Sequence, residues 1–325
     1  MSRTYDCIVC GTCVVDLICR PISLDRPIGA GVLVEVDPLQ VTGGGITSNA
    51  GIPMARMGLN VGVFSYVGQD AWAPVLRDLY RCEGIDASLL LDHPHAGTST
   101  TIAAVDPSGE RSLIHYAGAP QRLHAQRLLD SMARWQDTRA LLLGYYSLLP
   151  DLEPDLPHVL AKIRAVGCLT ALDAAGEGGS MHPLDRILPH LDVYVPSLAE
   201  ARNQTQEDDP RKIIDVYRRL GAPGLVGVKL GSQGVLLSSG PDSAGPKDMV
   251  EIKPRTPPGE VVDTTGAGDN FYAGLLTGLL KGLSPEAAGR LGAATAACSV
   301  TALGGCTGGR DYAFTERLAG LAGSV

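Results

Sequence analysis

Aromatic residues make up only 5% of the 325-residue chain, and the motif Gly-x-x-x-x-Gly-Lys-Ser/Thr is absent. The first scarcity argues against a site built mainly from stacked rings. The second excludes a P-loop enzyme. Basic residues are outnumbered, 27 Lys/Arg against 35 Asp/Glu for a formal charge of −8, and form no block. That balance argues against nucleic acid or an anionic membrane surface as partner. There is no run of about 18 apolar residues, and Met1-Ser2-Arg3-Thr4-Tyr5-Asp6 has neither a basic n-region nor a long h-region, so a cytoplasmic protein is expected. The seven histidines show no His-x-x-x-His pairing. Of the eight cysteines, Cys7, Cys10 and Cys13 are evenly spaced, but no fourth ligand follows at cluster spacing. They read as small buried hydrophobes, not as a metal cage.

What is present is alternation. Short apolar runs at Cys7–Cys10, Val61–Tyr66, Ala140–Leu143, Leu169–Leu172, Val193–Val195 and Leu225–Val228 read as strands. Helix-length stretches fall between and after them: Ser48–Met57, Trp72–Cys82, Ala125–Trp135, Pro157–Ala165, Pro210–Leu220 and Asn270–Lys281. A final helix is opened by Ser284 and Pro285 and closed by Gly304-Gly305. Such alternation predicts an α/β fold with a doubly wound, mostly parallel sheet flanked by helices, and ligands outside the carboxyl ends of its strands. Thr98–Val105 and Ser112–Tyr116, joined by Asp106-Pro107-Ser108-Gly109-Glu110, instead predict a hairpin. The chain therefore reads as one domain, 1–325, with a small β lid from about 12–41 and 97–118. Gly240–Lys247 reads as a polar loop.

The densest chemical signal is Val261-Val262-Asp263-Thr264-Thr265-Gly266-Ala267-Gly268-Asp269. Val261-Val262 reads as a strand end, and Phe271, Leu275 and Leu279 recur as on the buried face of a helix, so the glycines occupy a strand-to-helix turn. Backbone N–H groups of Gly266, Ala267 and Gly268 can close around a phosphate at the positive helix end. Asp269 would then face an anion, an unfavourable placement unless it takes a proton from an attacking hydroxyl. The alternative is a βα turn in which Asp269 merely caps the helix. Gly266-Ala267-Gly268 lacks the third glycine of a dinucleotide fingerprint.

Two further groups bear on a polyol. Thr42-Gly43-Gly44-Gly45 opens a predicted helix and permits close backbone approach, while Asn49 offers an amide that donates and accepts. The competing reading is a tight turn capped by Asn49. Asp16, beyond the first strand, is placed to accept sugar hydroxyls or is a solvated loop acid.

Gly11 to Asp16, Gly44-Gly45-x-x-x-Asn49, the hairpin and Asp263-Thr-x-Gly-Ala-Gly-Asp269 together resemble the ribokinase-like (PfkB) carbohydrate kinases over nearly the whole chain. The resemblance implies ATP-dependent phosphorylation of a small sugar or sugar acid. Asp269 would be the base, Gly266-Ala267-Gly268 the anion hole, and Asp16, Gly44, Gly45 and Asn49 the sugar contacts under a closing lid. Lys229, Gly231 and Gly234 look like the nucleotide-side turn, with Lys229 either near phosphate or solvated. Pro196-Ser197-Leu198-Ala199-Glu200 departs from the family's Asn-x-x-Glu: Glu200 would help hold Mg²⁺ through water, and Ser197 stands where Asn is usual. Asp263 and Thr265 match positions that hold a monovalent cation such as K⁺ in some members, but Gly304 to Gly308 match poorly. Tyr146 stands where ribose-specific relatives carry an acid, which argues against ribose. Tyr145, Tyr146 or Tyr116 stacking on a base would make a nucleoside kinase the alternative. Arg20 and Arg111 are the cations near the expected pocket, either as an anion clamp for phosphosugars or as surface charges. Relatives often dimerise through their lid sheets, and Thr98–Val105 is apolar enough to permit that homodimer. A non-catalytic sugar or nucleotide sensor is the remaining reading.

Overall fold

In the computed structural model, residues 3–24, 31, 33–107, 109–240 and 249–322 are described. Residues 241–247 of the expected polar loop and Ser108 of the hairpin turn lie outside them. The strands, in chain order, are β1 (Tyr5–Gly11), β2 (Val14–Cys19), β3 (Gln40–Gly44), β4 (Val61–Gly68), β5 (Asp86–His93), β6 (Thr100–Val105), β7 (Arg111–Tyr116), β8 (Thr138–Gly144), β9 (Leu169–Asp173), β10 (Val193–Tyr194), β11 (Leu225–Lys229), β12 (Val235–Ser238) and β13 (Met249–Ile252). Nine form the main sheet in the order β13-β12-β11-β10-β9-β8-β1-β4-β5. Pairing is parallel from β5 through to β11 and antiparallel for β11-β12 and β12-β13. The expected doubly wound sheet is therefore present, with an antiparallel edge.

Alternation along β1 shows how the sheet is buried on both faces. Cys7 and Val9 enter one hydrophobic cluster, with Tyr80, Leu275 and Ala288; Ile8 and Cys10 enter the other, with Trp135, Leu160 and Tyr217. The evenly spaced cysteines are thus parted between opposite layers, and all eight are free. Among the described residues no cluster of His, Cys, Asp or Glu fits a metal, and no helix is long and apolar enough to cross a membrane.

β1 and β8 run to Gly11 and Gly144, paired side by side where the sheet order reverses. A Cβ on Gly144 would fall 2.2 Å from Ile46 Cγ1. Helix Gly45–Asn49 therefore lies directly over this crevice and brings Asn49 to it. Beside it stands the second sheet, ordered β3-β2-β6-β7, where the hairpin β6-β7 pairs as expected.

Several sequence expectations are corrected. Val261 and Val262 form no strand; they are 56% and 46% exposed, and both line a cleft, so nothing covers a strand there. Ser48–Met57 is broken at Ala50 into Gly45–Asn49 and Gly51–Arg56, and Ala125–Trp135 into Ala125–Leu129 and Met132–Gln136. The helix opened by Ser284 and Pro285 ends at Ser299, before Gly304-Gly305, and Tyr312–Ala319 follows it. Trp72–Cys82 stands as expected.

Candidate active site

Helix Ala267–Leu280 opens directly after Gly266, whose φ of +70° is in the left-handed region. A Cβ there would lie 2.9 Å from Gly305 Cα, so glycine alone lets this turn lie against the 304–305 loop without displacement. Asn270 fastens the junction, its Nδ2 donating to Gly266 O at 2.9 Å and to Gly305 O at 2.6 Å. First-turn N–H groups have no acceptor within their own helix and sit at its positive end. Gly266, Ala267 and Gly268 thus lie at the start of this helix, with Asp269 in its first turn; the Ala267 N–H donates to Thr264 O at 3.3 Å.

Asp269 is 4% exposed. Its Oδ2 accepts from Asn49 Nδ2 at 2.8 Å and from the Tyr145 hydroxyl at 2.6 Å. Burial raises its pKa, while those two donors and the charge of Lys229 pull it down. The Asn49 amide nitrogen, expected to meet a sugar, is instead bonded to Asp269; its Oδ1 is buried and has no hydrogen-bond partner.

Lys229 is not solvated. Its Nζ donates to Asp173 Oδ1 at 3.0 Å, with the two side chains 13% and 3% exposed. The ammonium also lies 3.2 Å from where a Cβ on Gly268 would stand, beside the anion-binding turn. Burial opposes its charge, but Asp173, Glu200 and Asp269 outweigh that and raise its pKa. Asp173 is raised by burial, against the pull of Lys229. Sequence reasoning missed Asp173, although a carboxylate ending a parallel strand was the same signal that singled out Asp16.

Asp16 lies within β2 of the lid, facing Thr42 and Thr101 in the ladder, so it is no solvated loop acid. A Cβ on Gly44 would fall 2.1 Å from its Oδ2, which explains why a glycine stands there. Burial pushes the Asp16 carboxyl up to about 6, with the Thr101 hydrogen bond opposing and the Asp263 charge assisting. A cleft of about 950 Å³ is lined by Asp16, Gly45, Asn49, Tyr145, Thr265 and Gly304, among others.

Tyr146 does not enter this cleft. It is fully buried in the opposite layer, with its hydroxyl donating to Gly178 O at 3.0 Å. Tyr145, with φ +60°, turns the chain so that the preceding ring reaches the cleft instead. Gly44, Gly266, Ala267, Gly268 and Asp269 adjoin lining residues without lining the cleft themselves. Lys229, Gly231, Gly234, Ser197 and Glu200 also lie outside it. They cluster at the carboxyl end of β11, where Ser197 bridges to Lys229. A Cβ on Gly234 would meet Ile252 O at 2.0 Å, a structural reason for that glycine.

Ser197 and Glu200 form a capping box on helix Leu198–Thr205: Ser197 Oγ accepts from Glu200 N at 3.3 Å, and Glu200 Oε2 accepts from Ser197 N at 2.6 Å. With one oxygen so engaged, Glu200 fits a Mg²⁺ held through water and phosphate oxygens, the usual mode for that ion at phosphate sites. Asp263 does not fit K⁺. Its carboxylate is met by donors, namely Thr265 N at 2.9 Å, Thr265 Oγ1 at 2.7 Å, Gly304 N at 3.0 Å and the Arg111 guanidinium, which also reaches Thr265. Burial of Asp263 is outweighed by these donors, so its pKa is lowered. Arg111 is not a free surface charge: it lines the cleft, as Arg20 does, and joins the second sheet to the loop before helix Ala267–Leu280.

Comparison with known families matches residues 5–310 to the pfkB family carbohydrate kinases. The chain belongs to that family. This pfkB-family kinase is 26% identical to the 2-dehydro-3-deoxygluconokinase of Bacillus subtilis, over 86% of each chain. It is 28% identical to the ribokinase of Haemophilus influenzae, over 82% of this chain and 83% of that one. Arabidopsis thaliana ribokinase, solved with ribose and ATP, superposes with a TM-score of 0.81 at 20% identity, covering 98% of this kinase and 99% of the other chain.

Proposed function

We propose that this kinase transfers the terminal phosphoryl group of ATP to a hydroxyl of a small sugar or sugar acid. The observation that carries the reading is the position of Asp269: a buried carboxylate in the first turn of helix Ala267–Leu280, bonded by the cleft-lining Asn49 and Tyr145 and influenced by the charge of Lys229, which is paired with Asp173. The acceptor hydroxyl gives its proton to the Asp269 carboxylate as its oxygen forms a bond to phosphorus, and the bond from phosphorus to the departing ADP oxygen breaks. N–H groups of Gly266 and Gly268 hold the transferring oxygens, and that of Ala267 joins them by exchanging Thr264 O for phosphate. Lys229 adds positive charge beside Gly268. Mg²⁺, when bound, neutralises phosphate charge; Glu200 would hold its waters.

The cleft side supports a polyhydroxylated acceptor. Asn49 Oδ1 and Thr12 Oγ1 are buried polar atoms without partners, both residues line the cleft, and unpaired buried polar atoms are costly until a ligand satisfies them. The Asp16 carboxylate accepts further hydroxyls. Both a sugar acid and a neutral sugar stay within this class, since a 2-dehydro-3-deoxygluconokinase and a ribokinase resemble the chain to similar extents. The nucleoside alternative keeps two of its three rings: Tyr146 is buried away from the cleft, but Tyr145 lines it and Tyr116 is exposed on the second sheet. No step is assigned to K⁺. Eight free cysteines and the use of ATP suit the cytoplasm. A homodimer would cover the exposed lid residues Leu113, Ile114 and Tyr116.

The test is Mg²⁺-dependent ADP release from ATP across hexoses, pentoses, sugar acids and nucleosides. Turnover with a sugar or sugar acid is expected. Selective turnover with nucleosides would overturn the substrate class, and ATP binding without any stimulated release would favour a sensor.

A further inference from the structure

The proposed base has a neighbour that the phosphoryl-transfer scheme leaves unused. Tyr145 follows Gly144, the last residue of β8, and is one of two non-glycine residues with positive φ among those described. A bulky residue in this conformation is strained and persists only where its surroundings hold it. Here they do: Tyr145 N donates to Asp173 O at 3.0 Å, and the side chain reaches across the crevice to Asp269 Oδ2 at 2.6 Å. Asn49 meets the same oxygen from helix Gly45–Asn49 at 2.8 Å. Two donors from two elements on a single carboxylate oxygen fix both the plane and the rotamer of the acid, and neither uses Oδ1.

We propose that Tyr145 is a positioning residue for Asp269: its hydroxyl, delivered by the left-handed turn after β8, orients the carboxylate and stabilises its charged form. The inference rests on the assignment of Asp269 as base. Tyr145 is suited to remain a donor, because burial and the adjacent Asp269 charge raise its own pKa far above the usual tyrosine value. A hydrogen bond to the charged form of a carboxylate lowers its pKa, so loss of this one raises it. The other groups facing Asp269 are Asp173 at the end of β9 and Lys229 at the end of β11, with Glu200 acting on that lysine; all stay in place when only the phenol oxygen is removed.

The experiment is the pH dependence of kcat, at saturating ATP and acceptor, for the wild type, Tyr145→Phe and enzyme carrying a ring-fluorinated tyrosine at 145. Removing the hydroxyl is expected to move the acid limb of kcat upward by about one pH unit and to lower kcat at neutral pH about tenfold, with KM for ATP nearly unchanged. Fluorination makes the phenol a stronger donor, and the limb should move the opposite way. A purely structural tyrosine would give no such opposed shifts. If both variants keep the wild-type limb while Asp269→Asn remains inactive, the Tyr145 inference fails alone. If Asp269→Asn retains turnover, the base assignment fails instead. Should Tyr145→Phe fold poorly, the fluorinated enzyme decides: an unmoved limb overturns the proposal.

Discussion

Strands β1 and β7 belong to the same chain but to different regimes. In β1 only Asp6 is partly exposed, whereas every residue of β7 is exposed. β1 is held by two apolar layers. β7 is held by its ladder to β6 and, at its first residue, by the ion pair and hydrogen bond that Arg111 makes with Asp263 and Thr265. Burial of apolar surface, at about 25 cal/mol per Å², fixes the main sheet and the Asp269 junction. With Asp263 only 10% exposed, the Arg111 pair lies between a surface ion pair, worth about 1 kcal/mol or less, and a buried one. The groups proposed for catalysis thus belong to the apolar-packed regime, and the sheet proposed to cover the substrate to the exposed one.

The sharpest probe of the apolar-packed half is Lys229→Met. It leaves Asp173 and Asp269 buried without their counter-charge, and stability is expected to fall by about 3–5 kcal/mol, read from the urea midpoint. Adding Asp173→Leu should recover part of that loss. A change well under about 1 kcal/mol in the single variant would place Lys229 in the exposed regime and blur the contrast.

At the boundary stands Asp16, a lid residue with a buried carboxylate. Burial raises its carboxyl to about 6, above the ordinary value, so the charged acceptor is present above that pH and lost as pH falls through it. The acceptor KM is expected to rise below pH 6, and Asp16→Asn should remove this dependence while raising KM about tenfold at pH 8. A wild-type KM that stayed flat down to pH 5 would contradict the assignment.

The smallest effects belong to the exposed half. Arg111→Ala should cost less stability than Lys229→Met, yet raise the acceptor KM severalfold by loosening the lid. Because Asp263 is surrounded by N–H and O–H donors, exchanging K⁺ for a bulky organic cation should leave the wild-type rate unchanged. A marked K⁺ requirement would show that Arg111 leaves Asp263 in the working enzyme.

The same division governs what could be read from the sequence. Trp72–Cys82 was legible because its periodic apolar face packs on the core: Ala73, Leu76 and Tyr80 are buried. The edge strands of the main sheet were not. β5 reads Asp-Ala-Ser-Leu-Leu-Leu-Asp-His, without clean alternation, and its pairing with β4 is irregular. Val261-Val262 looked like a strand because propensity says nothing about whether a partner strand exists. In the candidate site, the turn at Gly266 and the helix carrying Asp269 were legible from residue chemistry and spacing; the bond from Asn49 to Asp269 was not. The exchange of Tyr146 for Tyr145 was not, since it turns on one left-handed φ that shifts which neighbour faces the cleft. The Lys229–Asp173 pair joins β11 to β9, and such partners across a sheet leave no local pattern.

The central claim is that Asp269 takes the acceptor's proton at this junction. Its most direct test is single-turnover transfer of labelled terminal phosphate from ATP in Asp269→Asn, with ATP affinity measured on the same sample. The account predicts a rate lower by a factor on the order of 10²–10⁴ with ATP affinity within a few-fold of wild type. A transfer rate within a few-fold of wild type would contradict it.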